Sequence, residues 1–521
     1  VGDGADAIHL PAARVLIPVL DAEAPRNPKN YRITDTDKLG VGSLKQKCRD
    51  NLAAITLLKE LEGETRTASD EEKKILVRYV GWGGLPQVFD PFNKEWASQG
   101  EQLEKLLTPE EFESARATTL NAHYTAPVVI RAMYGALRRF GFEHGRILEP
   151  ACGLGHFIGL MPDELRARSH ITGVEIDSVT AQLAKQLYPD ADIRHQPFEE
   201  TKLADGFYDV AISNIPFGDY KPFDPRFKNW NFVIHDYFFA ATLEKIRPGG
   251  VILFVTSKGT FDKVDGALRE YLAQQADLLG AIRLPNDAFK QNANTEVTTD
   301  IVMLRKRLPG ETPQGPAWQH LVDITNSLGE SIAVNEYFAE RPEMMLGEMR
   351  LEGRMYQRAE PTLVSNGRDL AEQLATAVAR LAEGVFRIAR RQQFEAPVPE
   401  QAIPAPDDVK PNAYALVDGR IGIREGDELR ILDGLASTTA TRIRGLIRVR
   451  DAVRRCLRSQ LGGHDENEVV ATREELNRAY DSFATRFGAI SERANTAAFR
   501  GDPDLPLLLS LEHYDEETRR A

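Results

Sequence analysis

The stretch Arg146-Ile147-Leu148-Glu149-Pro150-Ala151-Cys152-Gly153-Leu154-Gly155-His156-Phe157 decides the fold. Its first four residues read as an apolar strand ending in an acid. Gly153 and Gly155 read as a tight turn, and the residues after them as the start of a helix. Glycines at such a turn let the backbone approach a ligand closely, and an acid at the strand end can meet a cationic or hydroxyl-bearing group. The third glycine of a dinucleotide fingerprint is missing, so the stretch alone leaves open a ligand site or a plain strand-to-helix connection.

Outward from it, short apolar runs alternate with helical stretches between about 121 and 307. These runs are Ile171–Glu175, Asp209–Ser213, Val251–Thr256, Leu278–Ile282 and Asp300–Leu304. Such alternation predicts a mostly parallel sheet flanked by helices, an α/β Rossmann-like core. The second run ends in Thr172-Gly173-Val174-Glu175-Ile176-Asp177, roughly 20–25 residues after the first motif, where an acid commonly receives ribose hydroxyls. The other reading of that acid is a cap on the following helix. The third run delivers Ser213-Asn214-Ile215-Pro216-Phe217-Gly218 to the carboxyl edge of the sheet. An exocyclic amine conjugated to a ring is a poor nucleophile. Acceptors on the Asn214 side chain and the Ile215 carbonyl can bind its two hydrogens and favour a pyramidal nitrogen with its lone pair free. Phe217 offers a flat face for the ring. A lone turn with an exposed aromatic would look the same, but three motifs in this order and spacing reinforce one another.

Asn121-Ala122-His123-Tyr124-Thr125-Ala126-Pro127, Glu149–Gly155, Gly173–Asp177 and Ser213–Phe217 follow in turn. This order resembles the gamma class of amino-methyltransferases acting on adenine N6 in DNA. More narrowly it resembles the N12-class DNA methylases fused to helicase domains in mobile elements and phage-defence systems. Gly81–Asp90, Ala122–Thr125, Ile147–Pro162, Asn214–Tyr220 and Tyr480–Glu512 carry the likeness. It implies a class I S-adenosylmethionine-dependent methyltransferase core whose cofactor is S-adenosylmethionine, with no metal. Thr125, Glu149, Ala151, Gly153 and Gly155 would line the methionine part of the cofactor. Glu175 would bind the ribose hydroxyls, and Ile176 would pack on the adenine ring, with Phe198 also among the cofactor-binding residues. Asn214, Ile215, Pro216 and Phe217 would form the catalytic loop, which needs no strong base because a sulfonium is already an activated donor. Phe289, in the stretch after Arg283-Leu284-Pro285, would hold the substrate base from its other face.

Two positions depart from the family pattern. Ile215 stands where a proline is common, which removes some rigidity but keeps the backbone carbonyl. Pro197, in Gln196-Pro197-Phe198-Glu199, stands where many relatives carry an acid for the cofactor's adenine amine, with Gln196 or a backbone carbonyl as the substitute and weaker cofactor affinity as the consequence.

The remaining chain is expected to be helical. Residues 1–120 form an arm and a helical domain, with two amphipathic helices between Asn51 and Gly81 and another starting at Thr108-Pro109. Residues 121–310 form the methyltransferase domain. Residues 311–395 form a mostly helical extension, 396–411 a Pro-rich linker, and 412–521 a helical region possibly leading to a helicase. A flipped base requires a grip on DNA. The Arg-rich run Arg442, Arg444, Arg448, Arg450, Arg454, Arg455 and Arg458 is one candidate surface, and Trp82 in its glycine-rich turn is a candidate wedge. The alternatives for them are a solvated face or partner interface, and a core residue.

The formal net charge of −13 gives DNA binding no support from composition. No apolar run is long enough to span a membrane, and no secretory signal opens the chain. Three scattered cysteines, Cys48, Cys152 and Cys456, give neither a disulfide framework nor a zinc site, which suits the cytoplasm. The expected partners are DNA and a helicase domain or subunit. Two other functions stay open: methylation of protein glutamine or RNA through the same loop chemistry, and a non-catalytic DNA-binding module of a helicase–methylase assembly.

Overall fold

The computed structural model describes residues 29–512 apart from 121–124, 289–296, 354–359, 387–402 and brief stretches between 407 and 464. The chain forms two compact units, one of residues 18–393 and one that includes 394–521. Among the described residues no helix is long and apolar enough to cross a membrane.

The first unit opens with four helices: α1 (Leu44–Gly63), α2 (Asp70–Leu76), α3 (Ala97–Leu106) and α4 (Pro109–Ala117). Their starts are written locally. Ser43 caps α1 by accepting from Gln46 N, and Thr108 with Glu111 closes a capping box ahead of Pro109 in α4. The helices are joined by a buried amide. Asn51 donates to Gly81 O at 2.6 Å and accepts from Val80 N at 2.8 Å, so α1 grips the glycine-rich turn from both sides. The wedge reading of Trp82 is corrected here. Its ring is fully buried and meets Tyr79 and Phe89 edge-on, because the turn folds it inward onto α1 and its neighbours.

The core follows as α5 (Pro127–Arg139), β1 (Arg146–Glu149), α6 (His156–Gly159), α7 (Asp163–Arg166), β2 (His170–Glu175), α8 (Ser178–Leu187), β3 (Asp192–His195), β4 (Tyr208–Asn214), α9 (Ile234–Lys245), β5 (Ile246–Ser257), α10 (Gly259–Asp262), α11 (Ala267–Ala273), β6 (Ala276–Leu284) and β7 (Thr299–Lys306). The sheet order is β3-β2-β1-β4-β5-β7-β6. Pairing is parallel from β3 to β5, and β7 runs antiparallel to both β5 and β6. The central strands are buried on both faces, as the continuous buried run of β5 requires. The direction of winding reverses between β1 and β4, so a crevice opens at their carboxyl ends, where α/β sheets hold ligands.

After 310 the helical expectation is corrected. Leu321–Thr325 (β8) and Ser331–Asn335 (β9) form one antiparallel pair, and Gly347–Gly353 (β10) and Glu360–Ser365 (β11) form another. The described helices there are Glu336–Glu340 and Leu370–Arg380, with one 3-10 turn at Pro342–Met344. β-Branched residues at alternate positions, as in Ser331-Ile332-Ala333-Val334-Asn335, favour strand over helix, and Asn326–Glu330 closes the turn with backbone bonds.

The second unit also departs from an all-helical reading. A four-stranded sheet of order β12-β15-β14-β13 is built from Ile403–Pro404, Tyr414–Val417, Arg420–Glu425 and Glu428–Ile431. Two long helices follow, Ser437–Leu461 and Glu466–Phe487, and pack closely at Gly445, where a Cβ would fall 2.7 Å from the Phe483 ring. The Arg-rich run lies on the first of them; three of its seven residues are paired inside the unit, and Arg448 and Arg458 are exposed. Arg450 is buried against Asp502 at 2.7 Å, Arg454 pairs with Asp504, and Arg455 pairs with Glu475 at 2.7 Å. Charges so neutralised add little to a phosphate-binding stripe, so a DNA contact on this helix would fall to the other four arginines.

Candidate active site

The three sequence motifs meet at the carboxyl ends of β1, β2 and β4. After β1 the chain turns sharply, and Cys152 N donates to Val174 O at 2.8 Å, tying the turn to β2. Gly153 adopts φ 52° and gives its N–H to Glu175 Oε2 at 2.8 Å. A side chain at that left-handed position would be strained. Gly155, at φ 83°, is left-handed too and answers to packing as well. A Cβ there would fall 2.5 Å from the Tyr188 ring.

Glu175 receives Asp177 N on Oε1 at 2.8 Å as well as Gly153 N on Oε2. The helix-capping role belongs to Asp177, two residues on. Its Oδ2 accepts from Thr180 N at 2.9 Å and Thr180 Oγ1 at 2.6 Å, and its Oδ1 accepts from Ser114 Oγ of α4 at 2.7 Å. On β4, Ser213 Oγ reaches Ala151 O at 3.2 Å, and Ile215 N donates to Val255 O at 3.1 Å, so the Asn214–Phe217 turn is stitched to its neighbours on both sides.

Together these elements enclose a cavity of about 410 Å³. Thr125, Glu149, Ala151, Gly153, Glu175 and Ile176 line it, and so do Phe198 and all four residues from Asn214 to Phe217. Gly155 does not, and acts from behind through Tyr188. Phe289, like Asn121–Tyr124, lies outside the described residues. Sequence reasoning missed part of the wall. Gly81, Ser114 and Thr118 bring the N-terminal helical layer to the cavity, and Glu199 lines it two residues after Pro197. Gly81 belongs to a stretch that the sequence did single out. Ser114 left no local signal, since its partner Asp177 lies 63 residues away.

The electrostatics are one-sided. Burial raises the pKa of Glu175 to about 7, although the backbone N–H groups of Asp177 and Gly153 that donate to its carboxylate oppose the rise. Burial, and then the charge of Glu175, push Glu149 well above the usual carboxylate range. The buried Glu149 Oε2 has no hydrogen-bond partner among the described residues. Among those residues no Lys or Arg lines the cavity, and burial lowers the pKa of His156 to about 4. Glu199 is likewise raised by burial. Two carboxylates shut into a space without a counter-charge call for a ligand that brings positive charge and hydroxyl donors.

Residues 148–226, which span all three motifs, match the model of the methyltransferase domain family. The core is a class I S-adenosylmethionine-dependent methyltransferase fold. This methyltransferase domain takes S-adenosylmethionine as its cofactor, and the cavity suits it. A sulfonium, an ammonium and a ribose diol are the groups that an unpartnered Glu149 oxygen and a nearby Glu175 can accept.

The chain is 27% identical over 295 residues to the defense against restriction protein B of Escherichia phage P1. The match covers 54% of this chain and 11% of that protein, so the chain spans about a tenth of that relative's length. Among solved structures it is similar to a class I S-adenosylmethionine-dependent methyltransferase of Listeria monocytogenes, with 18% identity, 52% and 90% coverage, and TM-score 0.34. It is also similar to the type I restriction-modification methyltransferase subunit of Streptococcus thermophilus, with 16% identity, 50% and 66% coverage, and TM-score 0.31. Likeness at that level leaves the fold to rest on the sheet topology and the matched domain.

Proposed function

We propose that this chain methylates the exocyclic N6 of adenine in DNA, as a gamma-class enzyme of the N12 helicase-associated type. The observation that carries the reading is the Asn214-Ile215-Pro216-Phe217 turn lining the same cavity as Glu149 and Glu175. The cofactor, when bound, supplies a methyl group already activated on a sulfonium. In this reading Glu149 accepts from the cofactor's ammonium and Glu175 takes the ribose hydroxyls. Thr125, Ala151 and Gly153 shape the methionine end, and Gly155 keeps the turn seated on Tyr188. Ile176 and Phe198 flank the adenine ring. Glu199 supplies the acid that Pro197 cannot.

The Asn214 side-chain oxygen and the Ile215 carbonyl accept the two hydrogens of the substrate amine, and Phe217 stacks on the substrate base. Because Ile215 N is bonded to Val255 O, the missing proline is compensated by sheet pairing. Preorganised acceptors of this kind lower the barrier without a strong base. Such chemistry requires the adenine to leave its duplex. The phage relative, named for defence against restriction, supports a restriction, phage-defence or mobile-element setting. A place in the cytoplasm and a helicase domain or subunit as partner belong to the same proposal.

The test is methyl transfer from labelled S-adenosylmethionine to mixed-sequence DNA, with nucleosides identified by mass spectrometry and Asn214→Ala as control. N6-methyladenine is expected with the wild-type chain and absent with the variant. Cofactor binding without transfer to single- or double-stranded DNA would favour a protein or RNA acceptor. Absence of cofactor binding would favour a non-catalytic module.

A further inference from the structure

Residues 218–232, between the Asn214–Phe217 turn and α9, are not needed to hold the acceptors, yet the loop is firmly built. Tyr220 O accepts from Ile234 N at 2.7 Å, and Lys221 Nζ donates to Asn231 Oδ1 at 3.0 Å. The buried carboxylate of Asp224 takes Arg226 at 2.7 Å and the Tyr237 hydroxyl at 3.0 Å. Trp230 and Phe232 stack with centroids 5.6 Å apart, and both meet Tyr271 edge-on.

On this fixed base two aromatic rings are left in solvent. Tyr220 is 62% exposed at the cavity wall, and Phe223 is 81% exposed. Loose ends of a floppy loop would expose aromatics by default, but a loop braced at its base presents them as part of its build. The surrounding charge is also distinct. Arg226 and Asp224 neutralise each other within the loop, which leaves Lys221 and Lys228 against Asp219 alone, in a chain of formal net charge −13. Flat apolar faces beside exposed ammonium groups match a nucleic-acid strand, which offers bases to stack on and phosphates to pair with.

We propose that the 218–232 loop is a DNA contact in which Phe223 stacks on a base next to the one in the cavity and Tyr220 forms the lip between them. The proposal rests on the DNA reading above. Lys221 and Lys228 then track the adjoining phosphates. Stacking of this kind tolerates any base, so the loop contributes affinity rather than sequence choice.

The experiment uses the full chain and compares wild type with Phe223→Leu, Phe223→Trp and Tyr220→Ala in methyl transfer to mixed-sequence DNA. Leucine keeps an apolar side chain but removes the flat face, whereas tryptophan keeps the face. Phe223→Leu is expected to raise KM for DNA about tenfold, with Phe223→Trp near wild type and with cofactor affinity and Tm unchanged. Tyr220→Ala is expected to raise KM as well. Wild-type activity on DNA with KM within twofold for both Phe223→Leu and Tyr220→Ala would overturn the loop proposal alone. A wild-type chain that binds cofactor but transfers no methyl to DNA would overturn the function reading, and the loop proposal with it.

Discussion

At the carboxyl edge of the sheet, β6 carries Arg283, whose guanidinium bonds both oxygens of Asp300 at 2.8 and 2.9 Å and reaches Asp262 at 2.6 Å. At the same edge, β1 and β2 carry Glu149 and Glu175, with no Lys or Arg lining their cavity among the described residues. Arg283, Asp300 and Glu149 are deeply buried and Glu175 is partly so, and both groups incur the cost of withdrawing ionisable side chains from water. In the first, the chain supplies the opposite charge and closes the site, with Phe338 laid over the guanidinium at 4.3 Å from ring centroid to cation. In the second it leaves the opposite charge to a ligand. A buried carboxylate cluster to which the chain supplies a cation is architecture, and one to which it supplies none is a receptor.

The most severe way to break this contrast is to unbalance the closed cluster. Arg283→Met strands two buried carboxylates, and unfolding by denaturant is expected to show a loss of about 3–5 kcal/mol. The opposite sign is expected at the open pair. Glu149→Gln removes a carboxyl that burial keeps from ionising, and with it the cost of protonating that group on folding at neutral pH, so the Tm of the ligand-free chain rises while cofactor affinity, read by calorimetry, falls at least about tenfold. A fall in both would mean that Glu149 is part of the scaffold.

The pH dependence sharpens the same point. Because the folded pKa of Glu175, about 7, lies above its ordinary value of 4.5, the folded chain holds more protons than the unfolded one between those limits. Ligand-free stability therefore falls as pH rises through that window and levels off above it. The ionised carboxylate is the better acceptor for cofactor hydroxyls, so the cofactor-induced rise in Tm is expected to be greater at pH 8 than at pH 6. A flat profile would count against Glu175 facing the ligand. The smallest effect is expected at Ser114→Ala. Loss of one hydrogen bond to Asp177 should weaken cofactor binding by about fivefold, near 1 kcal/mol, with little change in kcat.

All six apolar runs named in the sequence became strands, because a central strand buried on both faces must write its burial as a continuous run. β3 escaped notice because Asp192-Ile193-Arg194-His195 is a half-exposed edge strand with one apolar residue. β8–β11 escaped because their period-two pattern is short and lies between helix-like stretches. At the site, Glu149, Glu175 and Asn214 were legible because each ends a strand. Ser114 and Glu199 were not, since their approach to the cavity depends on how distant elements pack. The acids that pair with Arg450 and Arg454 in the Arg-rich run were hidden for the same reason. Those acids, Asp502 and Asp504, lie some fifty residues further on.

The bond from Ile215 N to Val255 O extends the ladder of β4 and β5 one step past the strand end. The amine-accepting turn is thereby registered to the sheet as a lens mount is to an optical bench, and whatever is attached beyond Gly218 hangs outside that alignment. Lengthening, shortening or exchanging the segment up to α9 should change how tightly such a protein holds its acceptor without detuning its chemistry, which makes this junction a natural seam for grafting.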